Sequence, residues 1–539
     1  MNRNPALLAE RAFVWMPGVA VFFLSGWCAI SQLAPHLSIT QPGGMPGWPV
    51  LMGIERVTNG LSLTWDGPSG YYQVFRMGSL KDKSWVAVGG RTNLARRAIL
   101  PVTPSNAFFR ISGPAPHYTG AQACTACHSA IHTSELRTRH AAAFTNALFV
   151  AKGGQINSSC LACHTVGYRL PTGFSSVTNS ISSNSLAGVQ CENCHGPAAN
   201  HAANEDDPTV RPQVEIAAAV CGGCHTGSHH PTYDEWQGSG HGAVVEDALA
   251  VMNTSTNNLS GCGRCHSGSV RLSLLKGNPL PVGDANVAIE CVVCHDPHQT
   301  NGYPAQLRNP VASTNDYYLT TSASFATTYN PRINLCGQCH NHSGASWTTT
   351  SRAPHHSPQY NMLIGTVGLL ESGVPPDAPG SHALLITNQC AGCHLQTQPY
   401  VSAAQPANTG HSFTVQSYNS CLACHPLPQP LTQFTMLAVS NHIDQLKFEL
   451  DFWASSRAPM QLWTNYGVRS WEYTLPGDLS PGGSGPSAAD QALVPVNIQK
   501  ARFNLYIVLY DGSYGVHNVI YATTLLDTAE NWILDELGN

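Results

Sequence analysis

Gly188-Val-Gln-Cys191-Glu-Asn-Cys194-His195-Gly-Pro197 decides the reading of this chain, because its Cys-x-x-Cys-His core returns eight more times. The other copies are Cys124-Thr-Ala-Cys127-His128, Cys160-Leu-Ala-Cys163-His164, Cys221-Gly-Gly-Cys224-His225, Cys262-Gly-Arg-Cys265-His266, Cys291-Val-Val-Cys294-His295, Cys336-Gly-Gln-Cys339-His340, Cys390-Ala-Gly-Cys393-His394 and Cys421-Leu-Ala-Cys424-His425. Composition alone predicts roughly 0.03 copies in a chain of this make-up. Two thiols three residues apart suit the two vinyl groups of one porphyrin, and the histidine that follows reaches the iron. A zinc ribbon also uses Cys-x-x-Cys but does not need a histidine after every second cysteine. A disulfide framework belongs to short secreted chains and does not repeat this spacing. The expectation is nine covalently attached c-type haems.

The chain has 539 residues and 19 cysteines, and Cys28 alone lies outside the motifs. Only 11% of residues are charged, the net charge is −5, and 48 Gly and 37 Pro point to a loop-rich chain. No basic patch suggests a nucleic-acid partner. With about 34 residues per motif, the haem region has too little protein for an ordinary apolar core, so porphyrin has to supply much of the buried surface.

Arg3 and Arg11 precede an almost wholly apolar stretch from Phe13 to Ile30, interrupted at Pro17-Gly18. Residues 1–34 read as a signal peptide, with an uncleaved membrane anchor as the alternative. Leu24-Ser-Gly-Trp-Cys28 departs from a lipoprotein box at Trp27. Residues 35–49 form a Pro/Gly-rich linker. Across 50–112 the pattern becomes short alternating runs, at Arg56–Gly60, Leu61–Trp65, Tyr71–Phe75, Trp85–Val88 and Ala107–Ile111, separated by turn residues. This predicts a small all-β sandwich, which resembles a fibronectin type III or immunoglobulin-like module. Residues 113–430 are read as the haem domain, mostly irregular and α-helical. Residues 431–539 are read as a helical extension packing on it, with helices expected at Ser440–Phe452, Val496–Leu509 and Ala529–Leu537.

Sixteen histidines remain outside the motifs. In a loop-rich, haem-packed chain they are read as a supply of second axial ligands. The chosen nine are His140, His201, His230, His241, His298, His355, His382, His411 and His517. His140 and His241 each follow an apolar residue by about one turn, so both are expected on a helix face. His298, three residues beyond His295, is expected to complete the iron held by Cys291 and Cys294. His230 is preferred to its neighbour His229, and His355 to His356. His117 is the reserve, His36 lies in the linker, and His132, His342 and His442 are unplaced. The acidic pairs Asp206-Asp207 and Glu246-Asp247 are read as solvated. No Cys-x-x-Cys-Lys site, catalytic triad or phosphate loop is present.

On Cys124–His128 with His140-Ala141, Cys160–His164 with Gly167-Tyr168, and Gly188–Pro197 with His201, residues 117 to about 245 resemble the tetrahaem cytochrome that accepts electrons from hydroxylamine oxidoreductase. Ile289–His298 resembles a site common among periplasmic multihaem cytochromes. Asp511-Gly-Ser513-Tyr-Gly-Val-His517-Asn518 resembles the tail of the same group, in which a histidine returns to a haem. The resemblance covers roughly half the chain and implies haems stacked in parallel and perpendicular pairs.

These readings favour an exported electron carrier, periplasmic or at the cell surface, over an enzyme, because an iron with two histidine ligands has no open position for substrate. Redox proteins are the expected partners. A homo-oligomer or a filament is a further form, with membrane contact only through an uncleaved N-terminal segment. The alternative is a multihaem oxidoreductase of the nitrite, hydroxylamine or tetrathionate class with one open iron.

Overall fold

In this computed structural model the described residues are six strands between 50 and 112, then 117–170, 172–175, 185–212, 214, 216–299, 304–308, 335–342, 345–373, 378–386, 389–480 and 482–538. The export-type segment, the linker and His36 lie outside them. The chain divides into two units, one of residues 1–224 with 297–300, the other of 225–296 with 301–539.

In the first unit the alternating runs become β1 (Val50–Val57), β2 (Gly60–Asp66), β3 (Tyr71–Met77), β4 (Val86–Asn93), β5 (Arg97–Leu100) and β6 (Phe108–Ser112). They pair antiparallel into two three-stranded sheets, of order β1-β2-β5 and β4-β3-β6. The first expected run, Arg56–Gly60, is displaced: the strand spans Val50–Val57, and β2 begins at Gly60. Beyond the strands the chain is short helices and loops. Helix α1 (Thr125–Glu135) carries Cys127 and His128, and α2 (Ser158–His164) carries the whole second motif. Their small core gathers Tyr118, Phe144, Leu161, Val166, Phe174 and Leu186.

The second unit opens similarly. Helix α3 (Thr256–His266) ends on its motif histidine. Ser267 is extended and caps α4 (Gly268–Lys276), its hydroxyl accepting from the Val270 N–H. A side chain at Gly268 would collide with the Ala288 carbonyl at 1.9 Å, so this corner requires glycine. The C-terminal part is different: α5 (Pro428–Ser456), α6 (Val496–Asp511) and α7 (Val519–Leu537) build an ordinary apolar core. Helix α6 is buried on nearly every side, and Leu446, Leu450 and Trp453 of α5 pack with Leu505, Leu525 and Ile533. Fully buried Arg502 is held by the Trp471 and Glu472 carbonyls at 2.7 and 2.6 Å and by Gln491 Oε1 at 2.9 Å. Among the described residues no helix is long and apolar enough to cross a membrane.

Candidate haem-binding site

The motif histidines do not stand alone. Seven of them face a histidine from outside the motifs, with ring centroids 5.8–6.3 Å apart: His195 with His298, His225 with His230, His340 with His241, His266 with His355, His295 with His411, His425 with His382, and His394 with His517. Seven of the nine predicted second ligands therefore meet a motif histidine.

The spacing separates these pairs from directly stacked rings, although tilted aromatic pairs such as Phe144–Phe149 (6.2 Å) and Tyr473–Tyr506 (5.8 Å) share it. Rings that stack directly here approach closely: His356 on Tyr510 and His229 on Tyr400 at 3.7 Å, Phe149 on His164 at 4.0 Å. His195 and His298 are nearly parallel, at 8°, and still 5.8 Å apart. Across the seven pairs the interplanar angle runs from 8° to 88° while the separation barely changes. Two metal–imidazole bonds of about 2.0 Å, with about 1.1 Å from each nitrogen to its ring centre, give roughly 6 Å between ring centres at any ring rotation. The pairs fit one metal held between two imidazoles.

The outer ring nitrogens agree. Nδ1 meets a carbonyl in His164 (Ala143, 2.9 Å), His295 (Ala305, 2.7 Å), His382 (Val516, 2.8 Å) and His394 (Phe413, 2.9 Å). It meets Ser357 Oγ in His355 (3.0 Å), Gln359 Oε1 in His340 (3.4 Å) and the Thr409 carbonyl in His411 (3.1 Å). In His517 it meets Asp511 Oδ1 at 2.7 Å. An imidazole whose Nδ1–H is donated in this way presents an unprotonated Nε2, as a metal ligand must. Burial pushes His241 and His355 down to about 4, with the neighbouring His340 and His266 adding to it, so both rings are neutral at pH 7. In His517 burial acts downward too, but the Asp511 carboxylate outweighs it and raises the pKa.

At the two pairs of neighbouring histidines the ring contacts differ. His230 faces His225 while His229 stacks on Tyr400, and His355 faces His266 while His356 stacks on Tyr510. Two expectations are corrected. His298 meets His195 of the third motif, and the partner of His295 is His411. Nor do His140 and His241 sit on helix faces: α1 ends at Glu135 and His140 lies in the following turns, while His241 lies in the single 3-10 turn Gly240–Gly242, capped by the Ser239 hydroxyl. The remaining candidates, His140 and His201, lie in the first unit with the remaining motif histidines, His128 and His164. Nδ1 of His201 is buried without a hydrogen-bond partner.

Other side chains hold this arrangement in place, and the sequence reading missed them. Glu192, inside the third motif and 2% exposed, accepts from the N–H groups of Gly120 and Ala198, both at 2.8 Å, and of Thr119. Asn193 Nδ2 donates to the Thr165 carbonyl at 2.9 Å. The two variable positions of that motif thus tie together the segments flanking the first and second motifs. Glu235 accepts from Thr409 N (2.9 Å), Thr409 Oγ1 (2.8 Å) and His411 N (2.8 Å), which fixes His411. Nothing in a lone glutamate signals such a role.

Thiols of different motifs also touch. In the first unit Cys124 lies beside Cys191, and Cys163 beside Cys224. In the second unit Cys339 lies beside Cys265, and Cys390 beside Cys336. The Cys265–Cys339 contact is reciprocal: Cys265 Sγ lies 3.8 Å from the Gln338 carbonyl oxygen and Cys339 Sγ lies 3.9 Å from that of Arg264.

Parts of the chain are similar to known proteins. The family described as Cytochrome c554 and c-prime matches residues 123–196. The multiheme cytochrome MtrA of Shewanella baltica (strain OS185) is 31% identical over 157 residues, 26% of this chain and 45% of that protein. The C-type polyheme cytochrome OmcB of Geobacter sulfurreducens (strain DL-1 / KN400) is 25% identical over 295 residues, 47% of this chain and 34% of that protein. The chain thus spans less than half the length of these relatives. In fold it is similar to the Outer Cell Wall Cytochrome OcwA, with a TM-score of 0.51 at 19% identity, over 77% of this chain and 99% of that one. Over part of its length the chain is thus similar to multihaem c-type cytochromes.

Proposed function

We propose that the chain is a nonahaem cytochrome c that conducts electrons along closely spaced haems, each with two histidine ligands. The observation that carries this reading is the composition of seven ring pairs, each joining a motif histidine to a histidine outside the motifs at a separation that fits one metal between them. The eighteen motif cysteines would hold the porphyrins, and His140 and His201 would complete the irons of His128 and His164. When bound, each haem supplies one reversible one-electron centre. The protein's part is to fix the spacing, hold both imidazoles through their Nδ1 contacts and keep substrates off the iron. The six strands are read as a sandwich-type assembly module. Segment 117–245 is read as keeping the carrier role of the tetrahaem cytochrome it resembles. Redox proteins outside the cytoplasmic membrane are the proposed partners, in keeping with the export-type stretch Phe13–Ile30.

The test is intact mass of the purified protein with a pyridine haemochrome assay, followed by electron paramagnetic resonance. Nine haems, all low-spin, are expected. Fewer than nine after full maturation contradicts the count. A native high-spin signal with turnover of nitrite or hydroxylamine overturns the carrier in favour of an enzyme with an open iron.

A further inference from the structure

We infer that Asp511 is a potential-tuning residue: acting through His517, it makes the haem of Cys390 and Cys393 harder to reduce than its neighbours. This rests on the reading of His517 as that haem's second ligand.

Eight of the motif or candidate histidines have a described Nδ1 partner, and in seven of them it is a carbonyl, hydroxyl or amide oxygen. His517 instead meets a carboxylate, at 2.7 Å, whose side chain is 2% exposed. The contact is rigid on both sides. Asp511 is the last residue of α6 and Gly512 is left-handed, at φ 71, so the chain turns back at once. Ser513 Oγ donates to the second carboxylate oxygen and accepts from the His517 backbone N–H at 3.2 Å. Asn518 then caps α7, accepting from the Tyr521 N–H at 3.3 Å. One carboxylate oxygen is thus aimed at the imidazole and the other is fixed by a hydroxyl.

A carboxylate accepting from Nδ1–H increases the donor strength of Nε2. The effect is large where water cannot screen it. A stronger donor stabilises ferric over ferrous iron, and the potential falls. The opposite ligand, His394, has only the Phe413 carbonyl on its Nδ1, so the haem would have one strong and one ordinary ligand. Cys390 lies beside Cys336 of the preceding motif. The tuned site therefore adjoins the motif that precedes it in sequence.

The experiment compares Asp511→Asn with the wild type in the full chain, by spectropotentiometric titration and electron paramagnetic resonance. A Cys390→Ala/Cys393→Ala variant identifies the signals of this haem. One midpoint should shift upward in Asp511→Asn, with that haem's largest g value changing and the other eight haems unmoved. Ser513→Ala, which removes one support of the carboxylate but keeps Asp511 itself, should shift that midpoint less than Asp511→Asn does. A haem that stays low-spin with an unshifted midpoint in Asp511→Asn overturns the inference, as does an equal shift in Ser513→Ala. Should Asp511→Asn fail to fold, the wild type decides: the haem missing from Cys390→Ala/Cys393→Ala must be among the lowest in potential, and an unexceptional value overturns the inference. His517→Ala tests the underlying reading separately. It should make this one haem high-spin, and nine low-spin haems in that variant would remove the ligand assignment itself.

Discussion

At the scale of single residues, the attachment sites are plain in the sequence while the ligand pairs are not. Cysteine spacing is a local requirement of porphyrin chemistry, so all nine motifs can be read directly. The surplus of histidine is nearly as clear, and the choice of His230 over His229 and of His355 over His356 agrees with the ring pairs. Which histidine meets which motif is a long-range matter. Only His225–His230 is local; the other pairs join segments far apart in the chain, up to His394 with His517. The nearness of His298 to His295 in sequence is therefore misleading. The extended backbone at His295 sends its ring toward Ala305 and His411, while His298 reaches His195. The pairing makes a sharp prediction. His298→Ala should leave nine haems attached and turn one high-spin, its potential rising as a donor to ferric iron is lost. In a Cys191→Ala/Cys194→Ala background, which lacks that haem, His298→Ala should add no high-spin signal by electron paramagnetic resonance. In a Cys291→Ala/Cys294→Ala background it still should. The reverse pattern would return His298 to the sixth motif.

At the scale of elements, the boundaries show where local signals mislead. Helix α5 begins at Pro428, well before the expected Ser440, because Pro428 and Pro430 sit in its first turn, where a missing N–H costs nothing. Helix α7 begins at Val519 instead of Ala529: the β-branched Val519, Ile520, Thr523 and Thr524 weaken the helical signal, and burial of Tyr521, Leu525 and Leu526 outweighs it. Strand β5 was not among the expected runs, since Arg97–Leu100 is only four residues long and is stabilised by pairing with β2. Two substitutions probe element-level packing. Leu450→Ala, at a fully buried position of α5, should cost about 3 kcal/mol, read as a lower denaturant midpoint of the C-terminal helices with haem content unchanged. Glu235→Ala removes the acceptor of three hydrogen bonds that hold Thr409 and His411. It should loosen that loop by roughly 3 kcal/mol and give the iron of Cys291 and Cys294 partial high-spin character, reversed in Glu235→Gln to the extent that the amide oxygen replaces the carboxylate.

At the scale of the whole molecule, the thiol contacts suggest how separate sites become a path. Each attachment thiol marks one edge of its porphyrin, so touching thiols bring two porphyrin edges together. In the second unit the motif Cys336–His340 has contacts on both sides: Cys336 touches Cys390, and Cys339 touches Cys265. That motif is therefore the link between the site of Cys262–His266 and the site of Cys390–His394. Paired imidazoles with fixed Nδ1 contacts serve the same end, since a centre whose ligands do not change on reduction needs little rearrangement to pass an electron on. This predicts a specific failure. Cys336→Ala/Cys339→Ala should yield a folded protein with eight haems, because Tyr360 still packs on Gly337 and its N–H still donates to the His340 carbonyl at 3.0 Å. Its remaining haems should all reduce at equilibrium, yet electrons injected by flash photoreduction should redistribute between the two flanking sites much more slowly than in the wild type. Cys160→Ala/Cys163→Ala removes a haem from the other unit and should leave that rate unchanged. Equal rates in the two variants would mean that electrons pass between the flanking sites by another route, and the Cys336–His340 motif would lose its place as the link.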